Sequence, residues 1–211
     1  MCLFHPERGD MVATFGEVSA SCFVQNLHSK MLKNKIGCKI LREKPILSTK
    51  YLNIEYEKLR CLPKDTFGYV YYQFMKSNNI NMDDRPPIQF VNDVELAYVM
   101  LRYRQIHDFI HTLTNQPTNL IGEITVKIIE AYQTKLPMCV LGSIFAPLRL
   151  KNKHFHFFLK HNLYWAIKTA AMSPLFINVY YEKEWNTPIN ELRDRLKIYN
   201  IPNTPMKKLY K

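Results

Sequence analysis

Glycine is scarce in this chain, with only 6 residues among 211. Because glycine adopts positive φ angles most readily, a sequence that rarely supplies it is poorly suited to a fold built from many β-hairpins. Apolar side chains instead recur three or four residues apart along much of the sequence, which is the spacing of amphipathic helices. We therefore predict an all-α fold, with one compact multi-helix domain over residues 1–198 and a loosely ordered basic tail over residues 199–211.

Capping residues and prolines predict where the helices begin and end. The segment Met11–Lys33 carries apolar residues at helical spacing and predicts a helix that ends in a loop around Gly37. Asp93 is placed to cap a long helix, and Pro117 separates this helix from the next one. Further helices are predicted at about 119–135, 138–145, 152–171, 173–185 and 188–196.

The chain carries a strong excess of positive charge. It has 29 lysines and arginines against 18 acidic residues, which gives a net charge of +11 and a pI near 9.4. Such a surface attracts anions, whether nucleic acid, an acidic membrane or a ligand bearing phosphate or carboxylate. No zinc-finger, RNP or helix-turn-helix pattern accompanies the charge, so nucleic acid is not an expected partner.

The sequence favours a reducing compartment and no transmembrane helix. Its five cysteines are scattered and contain no Cys-x-x-Cys pair, so neither a disulfide framework nor a thiolate zinc site is expected. No uncharged run approaches the roughly 20 residues that span a bilayer. The segment Met1–Asp10 contains two acidic residues and no apolar stretch, which is unlike a secretory signal or a transit peptide.

A cluster of candidate metal ligands is the sharpest local feature of the sequence. On a helix, His107, Asp108 and His111 share an arc of about 100° at the edge of the apolar stripe. Glu123 lies on the following helix, which a turn at Pro117 would fold back toward them. Two imidazoles and two carboxylates suit Zn²⁺, Fe²⁺ or another divalent ion, and the i, i+4 spacing lets both histidines reach one metal. The alternative for a bare histidine pair is a solvated helix face.

Two basic residues lie one helical turn from these candidate ligands. Lys127 follows Glu123 on the same face of its helix, and Arg104 precedes His107 and Asp108. Arg104 is placed to pair with the aspartate or to hold an anionic substrate. Both residues are therefore candidates for catalysis.

An acid-free stretch forms a second signal. Between Ala131 and Tyr181 there is no aspartate or glutamate, and basic residues alternate there with aromatic ones. This composition is typical of a surface that lies on a membrane, where lysines meet anionic lipids and aromatic rings sit at the headgroups. The alternative is a solvated basic face over an aromatic core. For a peripheral, monotopic membrane protein, the expected lipid contacts are Arg149, Lys151, Lys153, Lys160 and Trp165.

The metal-ligand pattern also resembles a known family. His107-Asp108-x-x-His111, followed by eleven residues and Glu123, is similar to the metal signature of the Coq-four family of mitochondrial ubiquinone (coenzyme Q) biosynthesis proteins. Other family-like segments occur in family order: Asp-Met-Val-Ala-Thr at 10–14, Leu-Pro at 62–63, Arg-Pro-Pro at 85–87, Pro-Leu-Arg-Leu at 147–150 and Glu-Leu-Arg at 191–193. The resemblance covers residues 9–198.

The resemblance implies an all-helical protein on the matrix face of the mitochondrial inner membrane. It implies a divalent metal, with Zn²⁺ as first choice and iron as an alternative, held by His107, Asp108, His111 and Glu123. The implied partners are the other ubiquinone-biosynthesis enzymes of a multi-subunit complex, a polyprenylated aromatic substrate and inner-membrane lipid. Association into a homodimer is left open.

Two functional hypotheses follow from the resemblance. In the first, the protein organises the coenzyme Q biosynthetic complex and is also a carboxy-lyase that removes the C1 carboxyl from a polyprenylated 4-hydroxybenzoate-type intermediate. A water at the metal, or Lys127, is then the acid. If the ring is hydroxylated in the same step, iron is favoured over zinc. In the second, the metal is structural and the protein is a scaffold that presents the lipid-bound aromatic head to partner enzymes.

Overall fold

Helices joined by short loops build the protein in a computed structural model, which describes residues 9–48, 56–85 and 87–205. The helices are α1 (Gly9–Val18), α2 (Ser21–Leu32), α3 (Lys35–Glu43), α4 (Tyr56–Leu59), α5 (Phe67–Asn78), α6 (Val94–Thr114), α7 (Leu120–Thr134), α8 (Pro137–Phe145), α9 (Asn152–Phe157), α10 (Tyr164–Met172) and α11 (Ile189–Arg195). A π-helical segment, Phe158–Leu163, joins α9 to α10, and short 3-10 turns lie at Met82–Asp84, Ala146–Arg149, Phe176–Asn178 and Tyr181–Lys183. The described residues form no β-strand, and the predicted all-α class is confirmed.

The two longest helices, α6 and α7, begin at the residues that the sequence predicts. The Asp93 carboxylate accepts two backbone N–H groups of the first turn of α6, each at 2.9 Å. Asn119 caps α7 by accepting the N–H of Gly122 at 3.1 Å. A Cβ atom at Gly122 would lie 1.9 Å from the carbonyl oxygen of Pro117, so only glycine lets the chain return this closely between the two helices.

Helix α6 lies in the middle of the molecule and packs against α2, α3, α5 and α7. Its Phe109 is fully buried among Phe67, Tyr71, Tyr181 and Trp185, with ring centroids 4.6–5.7 Å apart. Such aromatic pairs add about 0.5–1.5 kcal/mol each beyond the area they bury. This packing fixes the face of α6 that lies opposite His107 and His111.

The N-terminal helices differ from the sequence prediction. The predicted helix Met11–Lys33 is divided into α1 and α2, with the break at Ser19 and Ala20. The Ser19 hydroxyl bonds the carbonyl of Phe15 at 2.7 Å where α1 ends. Gly37 lies inside α3 rather than in a loop. A Cβ atom there would lie 2.5 Å from the carbonyl oxygen of Met31, so glycine allows α3 to pack tightly against the end of α2.

The predicted helix at 173–185 is also wrong, since this segment forms two 3-10 turns. Arg102 of α6 is fully buried and donates to the carbonyl of Val179 at 2.9 Å and to the carboxylate of Glu182. The contact with Arg102 requires a Val179 carbonyl that is not already accepting a hydrogen bond within a helix. The apolar spacing of the segment therefore reflects burial and not helical structure.

The described part of the predicted loose tail is held against the helices. Thr204 is buried and accepts the Nδ2–H of Asn162 at 2.8 Å. The Trp165 indole N–H donates to the carbonyl of Tyr199 at 2.7 Å. The sequence contained no sign of the partners in these contacts. Residues 206–211 of the tail, and residues 1–8 of the segment Met1–Asp10, lie outside the described residues.

Candidate metal centre

Three of the four predicted ligands meet between α6 and α7. His107, His111 and Glu123 each offer one ligand atom, and these atoms lie within 4.8 Å of one another. Nε2 of His107 is 3.5 Å from one carboxylate oxygen of Glu123, and Nε2 of His111 is 3.4 Å from the other. Two imidazoles one helical turn apart thus face a single carboxylate on the neighbouring helix.

The hydrogen bond of His111 determines which of its ring nitrogens is available to a ligand. Nδ1 lies 3.0 Å from the backbone oxygen of Gln116. A carbonyl only accepts, so Nδ1 carries the proton and Nε2 of the neutral ring has a free lone pair. That buried Nε2 makes no hydrogen bond with the described residues. A lone pair facing the Glu123 carboxylate is stable only when a proton or a cation lies between them.

A second carboxylate orients His107. Its Nδ1 lies 2.8 Å from Oε1 of Glu130, which is only 1 % exposed. Burial would raise the pKa of Glu130, but the charges of Lys127 and His107 outweigh it and hold that pKa at about 2. The ionised Glu130 therefore accepts the Nδ1–H, and Nε2 is turned toward Glu123. A carboxylate behind the imidazole is the usual arrangement around metal-bound histidines.

The charges of the cluster favour a cation at this position. Burial and Lys127 lower the pKa of His107, but Glu130 and Glu123 raise it more strongly, to about 10. Burial raises the pKa of Glu123, whereas the two histidines hold it well below its ordinary value. Both carboxylates thus remain ionised and require positive charge beside them. A divalent ion supplies that charge in place of the His107 proton, so the residues fit a metal site.

Asp108, the fourth predicted ligand, lies outside this group. Its carboxylate forms an ion pair with Arg85, and Arg85 also donates to the carbonyl of Met82 at 2.7 Å. Arg85 thereby links the Asp108 carboxylate to the 3-10 turn at Met82–Asp84. The helical arc on which the prediction of Asp108 rests contained no information about a distant arginine.

Lys127 lies beside the site and contacts it through Glu130. Its ammonium is 2.6 Å from Oε2 of Glu130 and 3.2 Å from the hydroxyl of Tyr103. Burial would lower the pKa of Lys127, but Glu130 raises it above the ordinary value, so the group stays protonated. The side chain is only partly buried and is available to an approaching anion.

Arg104 has a different role from the one its spacing suggested. Its guanidinium forms an ion pair with Glu17 at 2.6 Å, and Glu17 also accepts the backbone N–H groups of Gln89 and Phe90. The pairing of Arg104 with Asp108 that the sequence suggested is replaced by this contact, which holds α1 on α6. Arg104 thus positions a helix next to the site.

With this geometry established, the chain can be compared with known proteins. The family described as "Coenzyme Q (ubiquinone) biosynthesis protein Coq4" matches residues 1–202. The chain belongs to this family. The resemblance inferred from the His107 to Glu123 pattern is confirmed.

Curated members of the Coq4 family are similar over nearly the whole chain. The "Ubiquinone biosynthesis protein COQ4 homolog, mitochondrial" of Bombyx mori is 43% identical over 201 residues, which are 95% of this chain and 77% of the relative. The Homo sapiens protein of the same name is 41% identical over 202 residues, 96% of this chain and 76% of the relative. A crystal structure from Nostoc punctiforme shares the fold, with a TM-score of 0.75 at 20% identity, covering 94% of this chain and 93% of that one.

Two residues of this Coq4 site were not predicted from the sequence. Glu130 follows Glu123 and Lys127 at helical spacing, so the pattern of α7 alone could have placed all three on one face. Arg85 belongs to the Arg-Pro-Pro segment that is similar to the family, but its contact with Asp108 joins residues far apart in sequence. Only the first of these had a local signal.

The predicted lipid contacts divide into exposed and buried residues. Arg149, Lys151, Lys153 and Lys160 are exposed on the segment that runs from the 3-10 turn after α8 to the π-helical segment. Trp165 is only 9 % exposed, and its N–H is bound to the Tyr199 carbonyl, so it is a core residue and not a surface anchor.

Other apolar side chains occupy this surface in place of Trp165. Leu148 and Tyr164 are 74 % and 72 % exposed, and Ile144, Phe145 and Leu159 are exposed as well. Exposed apolar side chains near basic ones are typical of interaction sites. None of the helices in the described part of the chain is both long and apolar enough to cross a membrane.

Proposed function

We propose that this member of the Coq4 family is a metal-dependent carboxy-lyase that removes the C1 carboxyl from a polyprenylated 4-hydroxybenzoate-type intermediate of ubiquinone biosynthesis. The observation that carries the proposal is the pair of Nε2 atoms, on His107 and His111, that face the Glu123 carboxylate. Family membership supplies the pathway, and the donor set supplies the chemistry.

The donor set favours a catalytic over a closed structural metal. Two histidines and one carboxylate make three protein ligands, the number found in catalytic zinc sites that keep a position open for substrate. Asp108 is engaged by Arg85 and does not close the set. Zn²⁺ is the first choice, and iron is the alternative because the same two-histidine, one-carboxylate set serves non-haem iron enzymes. A divalent ion held by these residues would act as a Lewis acid toward an anionic oxygen of the substrate.

The remaining residues orient an anionic substrate. Glu123 is the most exposed of the three ligands, at 36 % of its side chain, so the substrate approaches from its side. The Lys127 ammonium attracts the ring carboxylate or the phenolate. In the reaction, C1 gains a proton as the carboxyl leaves as CO₂, with the para oxygen supplying electron density. Because the pKa of Lys127 is raised, its contribution is greater as an anion-binding group than as a proton donor.

Docking on a membrane is part of the same proposal. A polyprenyl tail is too apolar to cross water, so the protein must work at the bilayer that holds the tail. Lysines and arginines contribute about 1 kcal/mol each near an anionic leaflet. The four exposed basic residues, together with Leu148 and Tyr164, support reversible docking on the matrix face of the inner membrane. There the protein contacts the other enzymes of the pathway, in one copy or as a homodimer.

A scaffold function is the second candidate. The exposed apolar side chains from Ile144 to Tyr164 favour it, because they also suit contacts with partner enzymes. In that case the metal stabilises the fold, and its removal unfolds the protein.

Reconstitution separates the two candidates. Purified protein is supplied with Zn²⁺ or Fe²⁺, oxygen, lipid vesicles and the polyprenylated carboxylate, and the product is measured by mass spectrometry. We expect decarboxylated product from the native chain and none from the His107→Ala/His111→Ala variant, whereas His28→Ala on α2 serves as the histidine control. Absence of product from the native chain, together with loss of helical signal when the metal is removed, would support the scaffold.

A further inference from the structure

Glu130 is the centre of a buried polar cluster behind His107. Besides the His107 Nδ1–H, its carboxylate accepts from the Lys127 ammonium at 2.6 Å and from the Tyr103 hydroxyl at 3.1 Å. The Cys139 sulfur lies 3.6 Å from Oε2 of Glu130, the oxygen that Lys127 and Tyr103 bond. The cluster thus joins α6, α7 and α8 around one carboxylate.

We propose that Glu130 is a positioning residue of the metal centre, which sets the affinity for a divalent cation by fixing the ring of His107. It accepts the Nδ1–H and thereby directs the Nε2 lone pair toward Glu123. This inference rests on the proposed function, because it requires His107 to act as a ligand.

The contacts of Glu130 explain how it can hold an imidazole in place. A carboxylate that is 1 % exposed is stable only when its oxygens are fully paired. Lys127 and Tyr103 donate to one oxygen, and among the described residues the other oxygen is bound by His107 alone. The rotamer of Glu130 is therefore fixed by groups other than the histidine that it orients.

The two histidines of the centre differ in the group that accepts their Nδ1–H. His111 donates to the backbone carbonyl of Gln116, an acceptor that no substitution of a side chain removes. His107 donates to a side chain, and a charged acceptor makes an imidazole a stronger ligand than a neutral one does. The affinity of the site is therefore expected to depend on Glu130.

The test compares the metal affinity of the native chain with that of Glu130→Gln. The amide can rotate and donate its NH₂ to Nδ1, which places the imidazole proton on Nε2 and blocks the ligand atom. We expect Zn²⁺ to bind 10- to 100-fold more weakly, measured by competition with a chromophoric chelator. The visible spectrum of bound Co²⁺ is expected to change as well.

Glu17→Gln is the matched control. It makes the same change at a buried carboxylate that pairs with Arg104, outside the cluster around Glu130, and its Zn²⁺ affinity is expected within about twofold of native. Circular dichroism without metal checks that each variant is folded. A structural role alone would lower the thermal midpoint of Glu130→Gln but leave the Zn²⁺ affinity and the Co²⁺ spectrum unchanged.

The outcomes separate this inference from the proposed function. If the native chain binds no Zn²⁺, the proposed function fails. If it binds Zn²⁺ and Glu130→Gln binds equally tightly, only the role of Glu130 is overturned. Should Glu130→Gln not fold, Lys127→Met/Glu130→Gln removes both charges of the pair together and is compared with Lys127→Met. The same 10- to 100-fold loss is expected there, and equal affinity overturns the inference.

Discussion

The core around α6 and the surface from α8 to α10 differ in how they place side chains against their usual preference. The first buries charged groups such as Glu130 and Arg102, and each has partners with matching charge. The second exposes Leu148 and Tyr164 with no such compensation within the described residues. Buried charges that are paired indicate a centre assembled by the fold itself, whereas exposed apolar side chains indicate a surface completed by something outside it.

The largest expected effect breaks a buried ion pair of the first region. Arg102→Met leaves the Glu182 carboxylate unpaired, because the fully buried guanidinium is its partner. We expect the free energy of unfolding in urea to fall by about 3–5 kcal/mol. Arg149→Met, on the exposed surface, is expected to change it by about 0.5 kcal/mol or less. Equal losses in the two variants would remove the distinction between the regions.

The second prediction concerns the basic side chains of the α8 to α10 surface. The triple variant Lys151→Glu, Lys153→Glu and Lys160→Glu is expected to weaken binding to anionic vesicles roughly 100-fold at low salt, since each lysine contributes about 1 kcal/mol. Flotation with and without anionic lipid measures this. A matched reversal of three exposed lysines elsewhere serves as the control: Lys33→Glu, Lys35→Glu and Lys64→Glu. An equal loss in the control would mean that total charge, and not this surface, directs docking.

The third prediction concerns the pH dependence of the stability that Glu17 contributes through its contacts between α1 and α6. Burial would raise the pKa of Glu17, but hydrogen bonds from Phe90, Gln89 and Arg104 lower it below the ordinary value of 4.5. A carboxyl with a lowered folded pKa stabilises the fold above its unfolded pKa and loses that contribution as the pH falls through the folded value. Glu17→Gln is therefore expected to cost about 2 kcal/mol at pH 7.

This cost is expected to shrink as the pH falls below about 4.5. Urea unfolding of the native chain and the variant, from pH 7 to pH 3, measures it. A difference that does not depend on pH would show that the charge of Glu17 contributes nothing.

The smallest expected effect concerns Trp165 and Tyr164, neighbouring aromatic residues of which one is buried and the other exposed. Trp165→Phe removes the hydrogen bond to the Tyr199 carbonyl and is expected to cost about 1 kcal/mol of stability without changing vesicle binding. Tyr164→Ala is expected to do the reverse, because its side chain is exposed. If Trp165→Phe reduced flotation and left stability unchanged, the assignment of this tryptophan to the core would be wrong.

Local features of the sequence were sufficient to place most of the site. Asp93 and Asn119 act as caps within their own first turns, so the starts of α6 and α7 follow from neighbouring residues alone. The spacing of His107 and His111, together with the turn at Pro117, was enough to expect Glu123 beside them. These inferences depend on helix geometry, which is the same in every protein.

The errors arose where a distant residue decides the structure. Nothing near Asp108 indicates that Arg85 takes its carboxylate, and nothing near Tyr181 indicates that Arg102 keeps its segment from forming a helix. Trp165 shows a further limit, since aromatic residues in a basic segment occupy either the core or the surface. The spacing of apolar residues indicates which side chains are buried. The residues that they pack against are known only from the three-dimensional structure.

The most direct test of the metal centre is the metal content of the purified protein after reconstitution with Zn²⁺ and removal of excess ion. We predict about one ion per chain for the native protein and for Asp108→Asn, because Asp108 is engaged by Arg85. We predict almost none for His107→Ala/His111→Ala and for Glu123→Ala, measured by plasma mass spectrometry. Equal metal in the native protein and the histidine variant would contradict the account.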